Sequence, residues 1–260
     1  MKNLIYQFWS GDIPYYAKFS AKKIKEYAEY IGADYKVYFN EDFIKTSNRS
    51  YWNCFRPILD TTFHVYDNVL FLDMDIFPVE NIKENIFESE VNGIGMVEEW
   101  HQPKIRYNST GAISGLNDEE WAKRLKKHYN IDLPRNKKSQ LKVFNSGVVY
   151  YTKEALDFAY NNWPDLNDFQ SVMQGMPQFY YLDQNVIGGL AFLKNSKFTQ
   201  LDNKWNSQIH YDGQGNPRPI HSNINSDTQL VHIQLRGRNT LTDEKIYDIV
   251  NKPINEWRHR

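Results

Sequence analysis

The 260-residue sequence contains a single cysteine, Cys54, so no disulfide bond can form within the chain. It has no apolar run near the roughly 20 residues that a membrane-spanning helix needs. The first ten residues, MKNLIYQFWS, lack the charged, apolar and small-residue succession of a secretory signal. These absences predict no transmembrane segment and a reducing, cytoplasmic setting.

The chain also lacks an excess of either charge, with 31 Lys and Arg residues against 32 Asp and Glu residues and a net charge of -1. The sequence-independent attraction on which nucleic-acid binding depends is therefore missing, and we expect no nucleic-acid partner. The 41% of hydrophobic and 24% of charged residues exclude a disordered, collagen-like or coiled-coil chain. Composition alone does not indicate a function.

Strand and helix signals alternate along the chain. An apolar strand over 3–9, a helical pattern over 13–31 that ends at Gly32, and a strand over 34–39 predict a βαβ unit with a parallel sheet. An apolar stripe predicts a second helix over 51–66. Further strands are predicted over 68–72, 93–97, 148–151 and 229–233, and helices near 118–128, 153–162 and 183–193. Without repeats or linkers, we expect one α/β domain over 1–260, with a long Gly/Pro-rich loop at 212–219 near a site.

Two carboxylates directly follow the apolar run 68–72, which is typical of a central strand covered on both faces. In an extended segment Asp73 and Asp75 face the same side, and ligands of open α/β sheets bind at the carboxyl ends of strands. Two negative charges this close to each other need a cation. The simplest cation is Mg²⁺ or Mn²⁺, with phosphate groups of a ligand completing the coordination of the ion. The alternative is that the pair caps a turn or a nearby helix before Phe77 and Pro78.

Three chemistries use such a pair of carboxylates. A haloacid-dehalogenase-type phosphatase usually has Thr or Val where this chain has Phe77. A polymerase-like two-metal site needs a basic surface for its template, which this chain lacks. Sugar transfer from a nucleotide-sugar, in which a metal neutralises the departing diphosphate, is left as the favoured reaction.

Five segments, in chain order, resemble the GT-A-fold glycosyltransferases, especially family 8, the glycogenin and bacterial galactosyltransferase group. They are 66–75 with its D-x-D, 143–149 (VFNSGVV), 182–185 (LDQN), 201–206 (LDNKWN), and His232 followed by Gly237 and Arg238. The start IYQFW at 5–9 also resembles family 32. The resemblance implies a GT-A fold, that is, a single Rossmann-like nucleotide-binding domain whose central, mostly parallel sheet is flanked by helices.

The resemblance also implies a metal site. Asp75 would bind the ion directly, Asp73 would bind the ion or the donor ribose, and His232 would be the third protein ligand. An imidazole ligand favours Mn²⁺, with Mg²⁺ as the alternative. Without the other segments, His232 would be interpreted as a core histidine on an apolar strand.

For the donor, the resemblance implies a larger set of residues. They are Tyr6, Arg56, Asp73, Asn145, Ser146, Arg236 and Arg238. The alternative for Arg56 is an ion pair with Asp60 one helical turn away. The two later arginines would replace a lysine, because the family's Lys-Pro-Trp is absent after His232 and guanidinium groups bind phosphate oxygens.

For the chemistry, the resemblance implies that Asp183 and Gln184 lie beneath the reacting carbon of the sugar. Asp183 would act as a nucleophile or orient the sugar. Its alternative role is to cap the helix that follows. Glu98 and Glu99 could supply a base in an inverting enzyme, but carboxylates at a strand end are usually solvated, so we interpret them as structural.

These observations together predict a metal-dependent enzyme that moves a hexose or pentose from a UDP-sugar to a hydroxyl of a glycan, lipid or protein. Because family 8 enzymes retain anomeric configuration, retention is expected. The alternatives are an inverting or GDP-sugar-using enzyme of the same fold, a non-catalytic nucleotide- or glycan-binding module, and a phosphatase or nucleotidyltransferase.

Overall fold

A computed structural model describes residues 1–99, 101–211, 223–235 and 242–252 of the chain. Its strands are β1 (Asn3–Trp9), β2 (Asp34–Phe39), β3 (Asn68–Leu72), β4 (Ile76–Pro78), β5 (Ile94–Glu98), β6 (Phe144–Thr152), β7 (Phe198–Leu201), β8 (Ser207–Tyr211) and β9 (Leu230–Leu235). Its α-helices are α1 (Tyr15–Ile31), α2 (Arg49–Trp52), α3 (Arg56–Leu59), α4 (Gln102–Tyr107), α5 (Gly115–Tyr129), α6 (Lys153–Asn162), α7 (Leu166–Val172), α8 (Asp183–Leu190) and α9 (Asp243–Val250). The predicted loop at 212–219 lies outside the described residues.

The larger sheet has six strands in the order β2-β1-β3-β6-β5-β7 within the described part of the chain. β1 is parallel to β2 and β3, and β5 is parallel to β7, whereas β6 runs antiparallel to its neighbours β3 and β5. The predicted mostly parallel sheet is therefore confirmed. Gly32 ends α1 at a φ of 68°, a left-handed conformation that glycine adopts without strain, as the sequence predicted.

Both faces of this sheet are covered. In β3, Val69 and Phe71 pack into one cluster with side chains of α5, α6 and α8. Leu70 and Leu72 pack on the other face, where α1 contributes Ile24, Tyr27 and Ala28. Every residue of β3 is buried, which explains why its sequence is apolar without alternation.

The region predicted as one helix over 51–66 is instead a series of short turns. α2 and α3 alternate with 3₁₀ turns at Asn53–Phe55 and Thr61–Phe63. Pro57 has no amide hydrogen to continue a helix from the preceding turn. Asp60 adopts an extended backbone and accepts a hydrogen bond from the Thr62 amide at 3.1 Å, which ends α3. The prediction of a helix was wrong, although most of the apolar stripe packs in the core.

A smaller sheet of the order β4-β9-β8 was not predicted. β9 is antiparallel to β4, with His232 opposite Ile76, and the Ile233 amide donates to the Asp75 carbonyl at 2.9 Å. β9 thereby places a histidine beside the segment that follows β3. Among the described residues, no helix has the length and apolar character needed to cross a membrane.

Candidate active site

The two carboxylates after β3 lie in a tight turn rather than in an extended segment, because β4 begins at Ile76 and its amide donates to the Asp73 carbonyl at 3.2 Å. The turn still brings both side chains to one place. Oxygen atoms of Asp73 and Asp75 and a ring nitrogen of His232 all lie within 4.8 Å of one another. Two carboxylates and an imidazole at this separation form a donor set that suits a divalent cation such as Mn²⁺.

The ring of His232 is held in one orientation. Its Nδ1 atom lies 3.2 Å from the side-chain oxygens of both Asn145 and Asn206. Amide oxygens only accept hydrogen bonds, so Nδ1 carries the hydrogen. In the neutral ring the lone pair is then on Nε2, which lies 3.3 Å from Oδ1 of Asp75.

The electrostatics of this arrangement also favour a cation. Burial opposes protonation of His232, but the carboxylates of Asp75, Asp73 and Glu99 outweigh it and raise the pKa of the imidazole above its ordinary value. A neutral Nε2 lone pair facing a carboxylate would be repelled by it. A proton or a metal ion between the two atoms removes this repulsion.

Strand β6 supplies the polar side chains beside this cluster. Asn145 and Ser146 are buried, and Ser146 Oγ donates to Oδ2 of Asp183 at 2.9 Å. Nδ2 of Asn145 lies 3.3 Å from Oε1 of Gln184. The described structure therefore brings together the four residues that the resemblance placed near the donor sugar.

Asp183 is the first residue of α8 and not its N-cap residue. The N-cap residue is Leu182, whose side chain makes no capping hydrogen bond. Burial raises the pKa of the Asp183 carboxyl, against the opposing effect of the hydrogen bond from Ser146. The carboxylate also interacts with the backbone amides of Gln184 and Asp183, which lowers this pKa, so it satisfies amides of the first helical turn from one residue inside the helix.

These groups line an open cleft of about 420 Å³. Its walls are Tyr51, Asp73, Asp75, Asn145, Ser146, Gln178, Phe179, Leu182, Asp183, Gln184, His232 and Gln234. A cleft of this size accommodates a small polar ligand. Asp73, Asp75, His232 and the half-buried Asp183 carboxylate line the same space.

The other residues predicted to bind the sugar donor do not line this cleft in the described part of the chain. Tyr6 is fully buried and donates its hydroxyl to the Asn53 carbonyl at 3.0 Å, so its side chain belongs to the core and not to the cleft. Arg56 forms an ion pair with Asp60 at 3.1 Å, as its alternative interpretation predicted, and stacks on the Tyr38 ring. Binding of the sugar donor by Arg56 stays a prediction. Arg236 and Arg238 lie outside the described residues.

The sequence interpretation missed Glu99 and the role of Asn206. Glu99 was treated as a solvated carboxylate, but it is 5% exposed and accepts a hydrogen bond from Asn145 at 2.6 Å. Asn206 belongs to one of the matching segments, and its side chain donates to Oδ1 of Asn145 at 2.8 Å. Only the segment match around Asn206 could have indicated its place.

Solved glycosyltransferase structures resemble this chain. A glycosyltransferase involved in the glycosylation of the major capsid of PBCV-1 is 14% identical, with a TM-score of 0.53 over 96% of this chain and 100% of that chain. Mouse xyloside xylosyltransferase 1, in its apo form, is 13% identical, with a TM-score of 0.49 over 93% and 100% of the two chains. The galactosyltransferase LgtC, in complex with donor and acceptor sugar analogues, is 11% identical, with a TM-score of 0.48 over 98% and 99%.

The fold is therefore that of the GT-A glycosyltransferases, as the sequence resemblance implied. The family model for glycosyl transferase family 8 matches residues 13–234, which is most of the chain. The chain belongs to glycosyl transferase family 8 and is a glycosyltransferase. No curated relative matches it in sequence. The phosphatase and nucleotidyltransferase alternatives are thereby set aside.

Proposed function

We propose that this glycosyltransferase is a single domain over 1–260 that moves a hexose or pentose from a UDP-sugar to a hydroxyl of a glycan, lipid or protein. We propose further that the reaction depends on Mn²⁺ and retains the anomeric configuration. Membership of family 8, which is a retaining family, supports retention.

The orientation of the His232 ring is the observation that supports the proposed metal dependence. Two amide oxygens fix the hydrogen of His232 on Nδ1, so that Nε2 is presented to Asp75 at 3.3 Å with Asp73 beside them. A histidine that only filled the core would not need its second nitrogen aimed at two carboxylates. We assign Asp73, Asp75 and His232 as the residues that would hold the ion.

A bound divalent cation would supply positive charge to the diphosphate as the sugar departs. In the reaction, the bond between the anomeric carbon and the diphosphate oxygen breaks and a bond to the acceptor oxygen forms. The proton of the acceptor hydroxyl passes to the departing diphosphate. Hydrogen bonds from Gln184 would orient the sugar, and Asn145, whose Nδ2 lies 3.3 Å from Oε1 of Gln184, would hold that side chain in place.

Asp183 would face the reacting carbon as a carboxylate. Ser146 supports this charged form with its hydroxyl hydrogen bond at 2.9 Å. In this position Asp183 would either attack the sugar or stabilise the positive charge that develops on it as the leaving group departs. Both roles are consistent with retention.

Thermal melting with UDP, GDP or no nucleotide, each with Mn²⁺ or EDTA, tests the donor and the metal together. A ligand at 100 times its Kd stabilises the folded state by about 2.7 kcal/mol. We expect stabilisation by UDP that requires Mn²⁺ and that is lost in Asp75→Asn. Stabilisation by GDP instead would favour the GDP-sugar alternative, and no stabilisation by either nucleotide would refute the donor site.

Activity separates the remaining alternatives. Release of UDP from a panel of UDP-sugars, with NMR of the product anomer, distinguishes retention from inversion. Nucleotide binding without sugar release from any donor would identify a binding module. Asp75→Asn should abolish turnover while leaving the chemical denaturation midpoint of the metal-free protein nearly unchanged.

A further inference from the structure

A buried carboxylate lies behind the candidate metal site without facing the cleft. Glu98 and Glu99 end the β5 region and point in opposite directions, as neighbouring residues of an extended chain do. Glu98 pairs with Lys142 at 2.8 Å. Glu99 is buried, and its Oε1 accepts hydrogen bonds from Asn145 at 2.6 Å and from Gln208 at 3.2 Å.

The hydrogen bond from Asn145 to Glu99 fixes one end of a buried amide. At the other end, Oδ1 of Asn145 accepts a hydrogen bond from the Gly147 backbone amide at 2.8 Å. A backbone amide only donates and an ionised carboxylate only accepts, so neither bond survives an exchange of the amide oxygen and nitrogen. The Asn145 side chain therefore has a single orientation.

This orientation determines what His232 meets. The fixed oxygen of Asn145 accepts from Nδ2 of Asn206 at 2.8 Å and lies 3.2 Å from Nδ1 of His232. The Asn206 amide is oriented in turn, and its own oxygen also faces Nδ1 at 3.2 Å. The chain of hydrogen bonds runs from Glu99 through Asn145 and Asn206 to the imidazole.

We propose that Glu99 is a positioning residue that, through Asn145 and Asn206, holds His232 as the Nδ1–H tautomer with Nε2 directed at the cation. This inference rests on the proposed metal site and concerns the support of that site, not a contact with the ion. Partners behind a metal-binding histidine set its tautomer and ring orientation, and their loss typically weakens metal affinity about 10–100-fold.

Mn²⁺ titration of the purified chain without nucleotide, followed by the EPR signal of the free ion, tests the proposal. Glu99→Ala removes the acceptor and should weaken Mn²⁺ binding about 10–100-fold. Glu99→Gln keeps an oxygen that can accept both hydrogen bonds, so it should restore most of the affinity. Glu98→Ala, at the neighbouring position, is the matched control and should bind Mn²⁺ like the unaltered chain.

A second measurement separates positioning from folding. ¹⁵N NMR of the histidine ring nitrogens, assigned with His232→Gln, should show Nδ1 protonated in the metal-free protein at pH values where the ring is neutral. Glu99→Ala should reduce this preference. Should that variant fail to fold, Glu99→Met fills a similar volume without an acceptor and takes its place.

The possible results are distinct. Unaltered Mn²⁺ affinity and an unaltered Nδ1–H tautomer in Glu99→Ala would overturn the role of Glu99 while leaving the proposed function standing. Equal weakening in Glu99→Gln and Glu99→Ala would also overturn it, because the hydrogen bonds would then not be the cause. Absence of Mn²⁺ binding by the unaltered chain would instead refute the metal site of the proposed function, and this inference with it.

Discussion

Gly147 is the position at which one methyl group tests the candidate cation site most directly. It lies in β6 with a φ outside the left-handed region, so alanine is compatible with its backbone. A Cβ atom there would lie 2.7 Å from Cε1 and 2.8 Å from Nδ1 of His232, and 2.9 Å from Oδ1 of Asn145. The substitution Gly147→Ala therefore pushes against the ring and against the amide that holds it.

The size of the effect follows from these distances. Carbon atoms pack at about 3.5–4.0 Å, so the His232 ring must move by roughly 0.8 Å or more to relieve the contact. Such overpacking costs about 1–3 kcal/mol of folding free energy. Because metal-ligand distances tolerate deviations of only about 0.2 Å, the same movement removes a good ligand. We expect at least a tenfold loss of Mn²⁺ affinity, on the order of what the loss of supporting contacts causes.

EPR titration with Mn²⁺ measures the affinity, and urea denaturation of the metal-free protein measures the folding free energy. Gly188→Ala is the matched control, because a Cβ atom at that buried position of α8 meets nothing within 4 Å. It should leave Mn²⁺ binding unchanged and stabilise the helix by about 0.5–1 kcal/mol. If Gly147→Ala binds Mn²⁺ as tightly as the unaltered chain, the assignment of His232 as a ligand is refuted.

Two further predictions concern the half-buried carboxylate of Asp183 and the buried carboxylate of Asp118. Ser146→Ala removes a hydrogen bond that lowers the pKa of Asp183, so this pKa, already raised by burial, rises further. Since the carboxylate is the proposed active form, the acidic limb of the pH–rate profile should move to higher pH, and an unmoved limb would contradict the role. Arg106→Met removes the guanidinium that lies 3.0 Å from the buried Asp118 carboxylate, which leaves this charge without a cation and with the Tyr180 hydroxyl at 2.7 Å as a hydrogen-bond donor. The free energy of unfolding in urea should fall by about 3–5 kcal/mol, whereas the exposed-pair control Lys126→Met should lose less than about 1 kcal/mol; equal losses would contradict the reasoning.

Local sequence patterns were sufficient to predict much of the larger sheet. β1, α1 and β2 follow from an apolar run, a helical stripe and a glycine at the C-cap. The run of β3 indicated a central strand because both of its faces are buried. Helical periodicity failed over 51–66, where Pro57 and the extended Asp60 interrupt the backbone while the side chains still reach the core.

The candidate site also combines residues that the sequence predicted with residues that only the structure revealed. The sequence determined the pair Asp73 and Asp75, because the two residues are neighbours at the end of one strand, and the family resemblance added His232 and Asp183. Only the tertiary structure brought Glu99 to Asn145 across 46 residues, and Asn206 to Asn145 across 61. A hydrogen bond between distant segments depends on strand order and register, and no local pattern encodes either. The same limit explains why Glu99, a carboxylate expected in solvent, is buried behind the proposed metal ligand His232.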